Sequence, residues 1–170
     1  MSPEPTDTRT VIAALVPPEV VITNQAPFLL WPLGDERDQA YLLAVLCSIP
    51  LDWYARRFVE THVNYHVFNP FPIPRSDRAD PLRRRIEEVS GTLAAVDDRY
   101  AAWAEAVAVP VGGVVDEAHK EALIAEIDAL VARLYCLDED DVSHVFETFH
   151  EGWDYTPRLE RVLTHFRALA

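Results

Sequence analysis

Side chains suited to nucleic-acid contact are concentrated between Trp53 and Arg85. Arg56 and Arg57 follow the aromatic pair Trp53-Tyr54 and suit phosphate oxygens, while Asn64, His66 and Asn69 suit base edges or backbone. Arg75, Arg78, Arg83 and Arg84, with Arg85 beside them, follow a proline-spaced segment and suit tracking of a duplex. Net charge is −4 over residues 1–50, +3 over 51–85 and −12 over 86–170, so the cations form an island in an acidic chain of net −13. Arginine supplies nearly all of them, with a planar fork that matches phosphates and guanine edges. A GC-rich coding sequence produces the same arginine bias. The plainer alternative is a polar strand face and a solvated helical turn, with the arginines paired to Asp77, Asp80, Glu87 and Glu88.

Other chemistries lack their parts. Asp116-Glu117-Ala118-His119 spells a helicase-like motif, but there is no glycine-rich phosphate loop, and the one lysine, Lys120, is misplaced for it. His62 and His66 are four apart, a metal-ligand spacing on a helix, but they stand in a strand-like run without a third ligand nearby. Lys120 has no acid two residues before it, which a nuclease core needs, and no Gly-x-Ser-x-Gly elbow occurs. The expectation is no catalytic residue, no metal and no cofactor in this chain.

The elements expected to position the arginines are mixed. Val11 to Val16 and Glu19 to Thr23 read as short strands interrupted by Pro17-Pro18, and Phe28 to Trp31 as a third. Asp35, with Asp38 three residues on, caps a buried helix running to about Cys47. Asp52 reads as the cap of a short helix to about Val59. Val63 to Asn69 alternates as a strand, and Pro70-Phe71-Pro72-Ile73-Pro74 leaves it as a connector. Asp80-Pro81 starts a helix whose apolar residues recur in heptads from Leu82 to Val107. After a turn at Pro110 to Gly113, Asp116 caps a second long helix, completing an antiparallel hairpin. Asp138 caps a third helix, ended by Gly152, and Thr156-Pro157 starts a fourth. The predicted class is α+β, mainly α. A small strand-containing part over 1–75 precedes a helical spacer or docking region over 76–170, made of the hairpin and two shorter helices.

With 170 residues, almost half hydrophobic, the chain suits one domain with a real core. No apolar run reaches membrane-spanning length, and the N-terminus lacks a basic start and apolar centre. Cys47 and Cys136 read as small buried hydrophobes inside helical patterns. A cytoplasmic protein without membrane contact is expected.

One family brings these signals together. Leu46-Cys47-Ser48, Leu51 to Arg57, His62-Val63-Asn64 and Phe71-Pro72-Ile73-Pro74 occur here in an order that resembles the C-terminal, target-recognition and helical region of bacterial adenine-specific DNA methyltransferases. These are the type IIG restriction–modification enzymes and related phage-defence methylases. Thr6 to Ala14 resembles the segment that opens this region, and Ile127 to Leu137 the helix that closes many such proteins. The resemblance implies a non-catalytic specificity segment that contacts duplex DNA beside a methyltransferase domain or chain. That partner would bind S-adenosylmethionine and flip adenine. Asn69-Pro70-Phe71-Pro72 is similar to the family's Asn-Pro-Pro-aromatic catalytic loop, but its order is wrong and no cofactor loop accompanies it. The competing expectation is an acidic helical protein-interaction module, or a mimic of DNA phosphates that binds a basic DNA-handling protein.

Overall fold

The computed structural model describes residues 8–22, 27–30, 33–59, 63 and 65–169. The described residues are organised as helices: α1 Glu36–Cys47, α2 Ile49–Ala55, α3 Tyr65–Phe68, α4 Pro81–Ala94, α5 Ala101–Val107, α6 Glu117–Leu134, α7 Glu139–Glu147 and α8 Thr156–Ala168. A 3-10 turn, Asp98–Tyr100, leads into α5. Among them no strand occurs, which overturns the α+β expectation. None of these helices is long and apolar enough to cross a membrane.

The capping signals carry through to structure. Asp35 and Asp38 form a reciprocal capping box on α1, as Asp138 and Asp141 do on α7. Asp80 caps α4 with Pro81 at its first position, and Asp116 caps α6. Asp52 does not cap α2. Ser48 does, accepting from the Leu51 amide, and Asp52 lies fully buried one turn inside the helix.

The expected strands fail for two different reasons. Over 11–17 the alternation is real: Val11, Ala13, Leu15 and Pro17 face the protein, and Ile12, Ala14, Val16 and Pro18 face solvent. No described segment pairs with this strap, so its inner face packs on helices: Val11 and Ala13 join one cluster with Tyr41 and Ile86, and Leu15 joins another with Tyr100. The run from Val63 to Asn69 follows helical spacing instead. Val63, Val67 and Phe68 stand at i, i+4 and i+5 and pack together on the core, and Tyr65–Phe68 forms a helical turn. The segment Phe28 to Leu30 is described but unpaired, and Thr23 and Trp31 lie outside the described residues.

The long heptad helix is also broken. α4 ends at Ala94, and Asp97 caps the 3-10 turn that redirects the chain. A Cβ on Gly91 would stand 2.8 Å from Val107 Cγ1, so α5 folds back across α4 at that glycine. In an unbroken helix these positions would be roughly 24 Å apart. The heptad pattern survives because both pieces bury the same stripe, with Val96 left exposed at the break.

Three apolar clusters hold the helices. The first joins the strap, α1, α2, α4 and α6 through Val11, Val45, Leu51, Ile86 and Leu130. It spans the boundary drawn at residue 75. The second joins α2, α6, α7 and α8 through Ile49, Ala129, Phe146 and Val162, and the third seats α5 on α1.

Cys47 is half-buried and its thiol donates to the Ala13 carbonyl, whereas Cys136 is exposed and outside any helix, contrary to expectation. Burial pushes the Cys47 thiol pKa up, which keeps it a donor. Cys136 sits at φ 56° immediately after α6, with Cys136 N donating to Arg133 O and Leu137 N to Ala132 O. That is the Schellman arrangement, whose left-handed position favours glycine. Cys136→Gly is expected to raise stability by about 0.5–1 kcal/mol, seen as a higher urea midpoint, while Cys136→Ala gives no such gain.

Candidate nucleic-acid interface

A chain of rings positions the first cations. Tyr54 and Phe58 on the α2 side lie 4.8 Å apart, Tyr54 meets Phe71 edge-on at 6.4 Å, and Phe71 meets Phe68 of α3 at 5.6 Å. Phe71 is buried, and the Tyr41 hydroxyl donates to Pro74 O at 2.8 Å, which ties the proline connector to α1. The end of α2 is thereby held beside α3. Arg57, Phe58, Tyr65, His66 and Asn69 all emerge exposed from this one region.

The nine expected contact residues divide sharply. Arg56 is half-buried, with its guanidinium 4.3 Å from the Phe149 ring centre, and so braces α2 against α7. Arg57 lies over Trp53 at 4.4 Å and stays exposed. His66 and Asn69 are exposed on and after α3, on a helical turn and not on a strand face. Asn64 lies outside the described residues, as does His62 of the metal-spaced pair.

Arg75 is exposed and has no ion-pair partner among the described residues. Arg84 donates to Ala79 O at 2.7 Å and meets no carboxylate among them. Arg78 and Arg83 are engaged. Arg78 bridges Asp35, at 2.6 Å, and Asp38. Arg83 is buried between Asp38 and Glu87, donates to Ser76 O at 2.7 Å, and stacks on Tyr41. Burial opposes the Arg83 charge, but its bonds to Glu87 and Asp38 outweigh that and raise its pKa. The Asp38 amide, then Arg78, hold the Asp35 carboxyl below its usual range. Arg85 forks onto Glu126 of α6 and also meets Glu88. These arginines tie α4 to α1 and α6. Only Arg83–Glu87 and Arg85–Glu88 follow the local pairing that the spacing offered.

Two buried aspartates act in ways that sequence reasoning does not assign, Asp52 reading as a cap. Asp52 accepts from Arg9 Nε at 2.6 Å, Thr10 N at 3.0 Å and Val11 N at 3.1 Å, and so fastens the strap to α2. Asp128 of α6 accepts from Ile49 N at 2.8 Å and pairs with Arg158 of α8. Both are fully buried. For Asp128 a signal was available: a lone acid inside the apolar run Ile127 to Ala132 needs a partner.

The surface left for a nucleic acid is therefore smaller than the arginine count implies. Among the described residues Arg57, Arg75 and Arg84 make no ion pair, and Arg57 shares its region with the exposed rings of Phe58 and Tyr65 and the polar tips of His66 and Asn69. Charge tracks phosphates and rings stack on bases, a pairing that suits unstacked or distorted nucleic acid. No family model, no curated protein and no solved structure matches this chain.

Proposed function

We propose that this chain is a non-catalytic DNA target-recognition and scaffold segment of a restriction–modification or phage-defence adenine methyltransferase. The observation that carries it is the patch formed by Arg57, Phe58, Tyr65, His66 and Asn69, held in place by the ring chain from Phe58 to Phe68. Arg57 belongs to a motif that resembles the methyltransferase family, and the other four residues lie between that motif and Phe71-Pro72-Ile73-Pro74. In this reading residues 1–75 form the end of a recognition region, and 76–170 form the helical support that docks on the catalytic part. S-adenosylmethionine and methyl transfer belong to that partner.

Titration of the chain into a fluorescent duplex over a range of salt tests the reading. Replacing Arg57, Arg75 and Arg84 together by alanine is expected to weaken binding at least tenfold at low salt. It should also make the log–log salt slope shallower by roughly 2–3, close to one counterion per lost phosphate contact. Arg78→Ala should leave the slope unchanged, because that guanidinium is already bound to Asp35 and Asp38. Equal affinity and slope for the triple variant would reject the proposal. The second reading, an acidic interaction module or DNA mimic, draws on the net −12 of residues 86–170 and the exposed Asp140, Asp141, Glu147, Glu151 and Glu160. It requires binding to a basic protein and indifference to DNA.

A further inference from the structure

The strap at 11–16 has two unlike edges. In an extended chain the N–H and C=O of one residue point to the same edge, and those of the next residue to the other. The odd residues here face the body: Val11 N donates to Asp52, Ala13 O accepts from the Cys47 thiol, and Leu15 O accepts from the Tyr100 hydroxyl at 3.1 Å. The even residues, Ile12, Ala14 and Val16, make no backbone hydrogen bond with any described residue. Their side chains point to solvent, Ile12 being 85% exposed. A groove of about 560 Å3 opens alongside, lined by Ile12, Leu15, Leu43, Leu93, Val96 and Ile124.

We propose that Ile12 to Val16 is a docking edge completed by an apolar β-strand of a partner protein. Three observations select that occupant. A row of alternate amides and carbonyls with no partner among the described residues suits the ladder of another extended chain. The groove beside it accepts the apolar side chains that such a strand presents at every second position. Ile12 to Val16 itself carries no charged side chain to block pairing, and the charges beside it, Arg9, Lys120 and Arg158, line the groove. A second copy of this chain is disfavoured, because each copy brings a net charge of −13. Pro17 and Pro18 end the ladder after Val16, so the pairing is short and the groove must add to it. This docking does not depend on the DNA contact at Arg57.

Amide hydrogen exchange on the full chain, read by NMR, tests the proposal. The probe is a synthetic peptide of alternating valine and threonine with a lysine at each end. With peptide in excess, the Ile12, Ala14 and Val16 amides are expected to exchange at least about tenfold more slowly, while Val11, already bonded to Asp52, stays the same. Ala14→Pro removes the central donor and should abolish the slowing at Ile12 and Val16. Ile12→Lys with Val16→Lys, which leaves the inner face intact, should weaken peptide binding by a similar factor. No slowing at the three even amides, or slowing that persists in both variants, overturns the proposal. So does slowing without peptide that grows with the chain's own concentration, because the occupant would then be a second copy.

Discussion

Asp52→Ala is expected to lower stability by about 3 kcal/mol, moving the urea midpoint down by roughly 1–2 M. The carboxylate is completely buried and serves the Arg9 guanidinium and two consecutive backbone amides. Truncation leaves the Thr10 and Val11 amides without their acceptor, and donors abandoned in the interior cost far more than the bond itself contributes. The Arg9 side chain is 21% exposed and regains some water, which keeps the loss toward the lower end for a broken buried pair. Asp52→Asn keeps one acceptor oxygen and should cost about half as much. The damage should be local: exchange across 10–16 accelerates, while far-UV circular dichroism keeps its helical signal because the strap contributes no helix. An Asp52→Ala midpoint within about 0.3 M of the parent would mean that the clamp contributes little.

Helix termini were legible because capping is local. An aspartate with an acid three residues on, as at Asp35 and Asp138, or before proline, as at Asp80, marks a start whatever packs above it, and Asp116 caps α6 by accepting from the His119 amide alone. Pairing is not local. The alternation at 11–17 is correct, yet a strand needs a neighbour, and the helices took the inner face instead. The heptads from Leu82 to Val107 show which residues are buried but not whether one helix buries them, and the break depends on a glycine that lets Val107 close on α4. Asp97-Asp98 was the available local sign of a new start.

The basic island was legible as composition, but not as free charge. Arg78 and Arg83 pair with Asp35 and Asp38, some 40 residues earlier, whose sequence context shows only a capping role. Each cap carboxylate keeps lone pairs after accepting one amide, so it holds an arginine as well. Arg57, Arg75 and Arg84 form no ion pair with a described carboxylate, although Glu88 stands one turn from Arg84 and pairs with Arg85 instead. Separating free from engaged arginines therefore requires the packing of α1 on α4, which spacing along the chain does not encode.

Asp128→Ala is expected to cost about 3–5 kcal/mol and to lower global stability, because this carboxylate joins three helices. Its two oxygens hold the first amide of α2, at Ile49, and the Arg158 guanidinium of α8, whose Nε donates at 2.8 Å. Ile49 is fully buried, so its amide has no water to turn to. Arg158→Met alone should also be costly, since it strands a buried negative charge, and Asp128→Asn should be milder than Asp128→Ala because it still accepts from Ile49. The two buried aspartates also communicate. Arg9, held by Asp52, donates to the Ser48 carbonyl at 3.3 Å, and the amide on the other side of that same peptide group donates to Asp128. Bonds arranged in such a chain polarise one another. The Asp52→Ala, Asp128→Ala double variant should therefore lose less than the two single losses combined, by about 0.5 kcal/mol or more. Strict additivity in urea denaturation would show that the Ser48–Ile49 peptide does not couple them, and that the strap and the helical core are fastened independently.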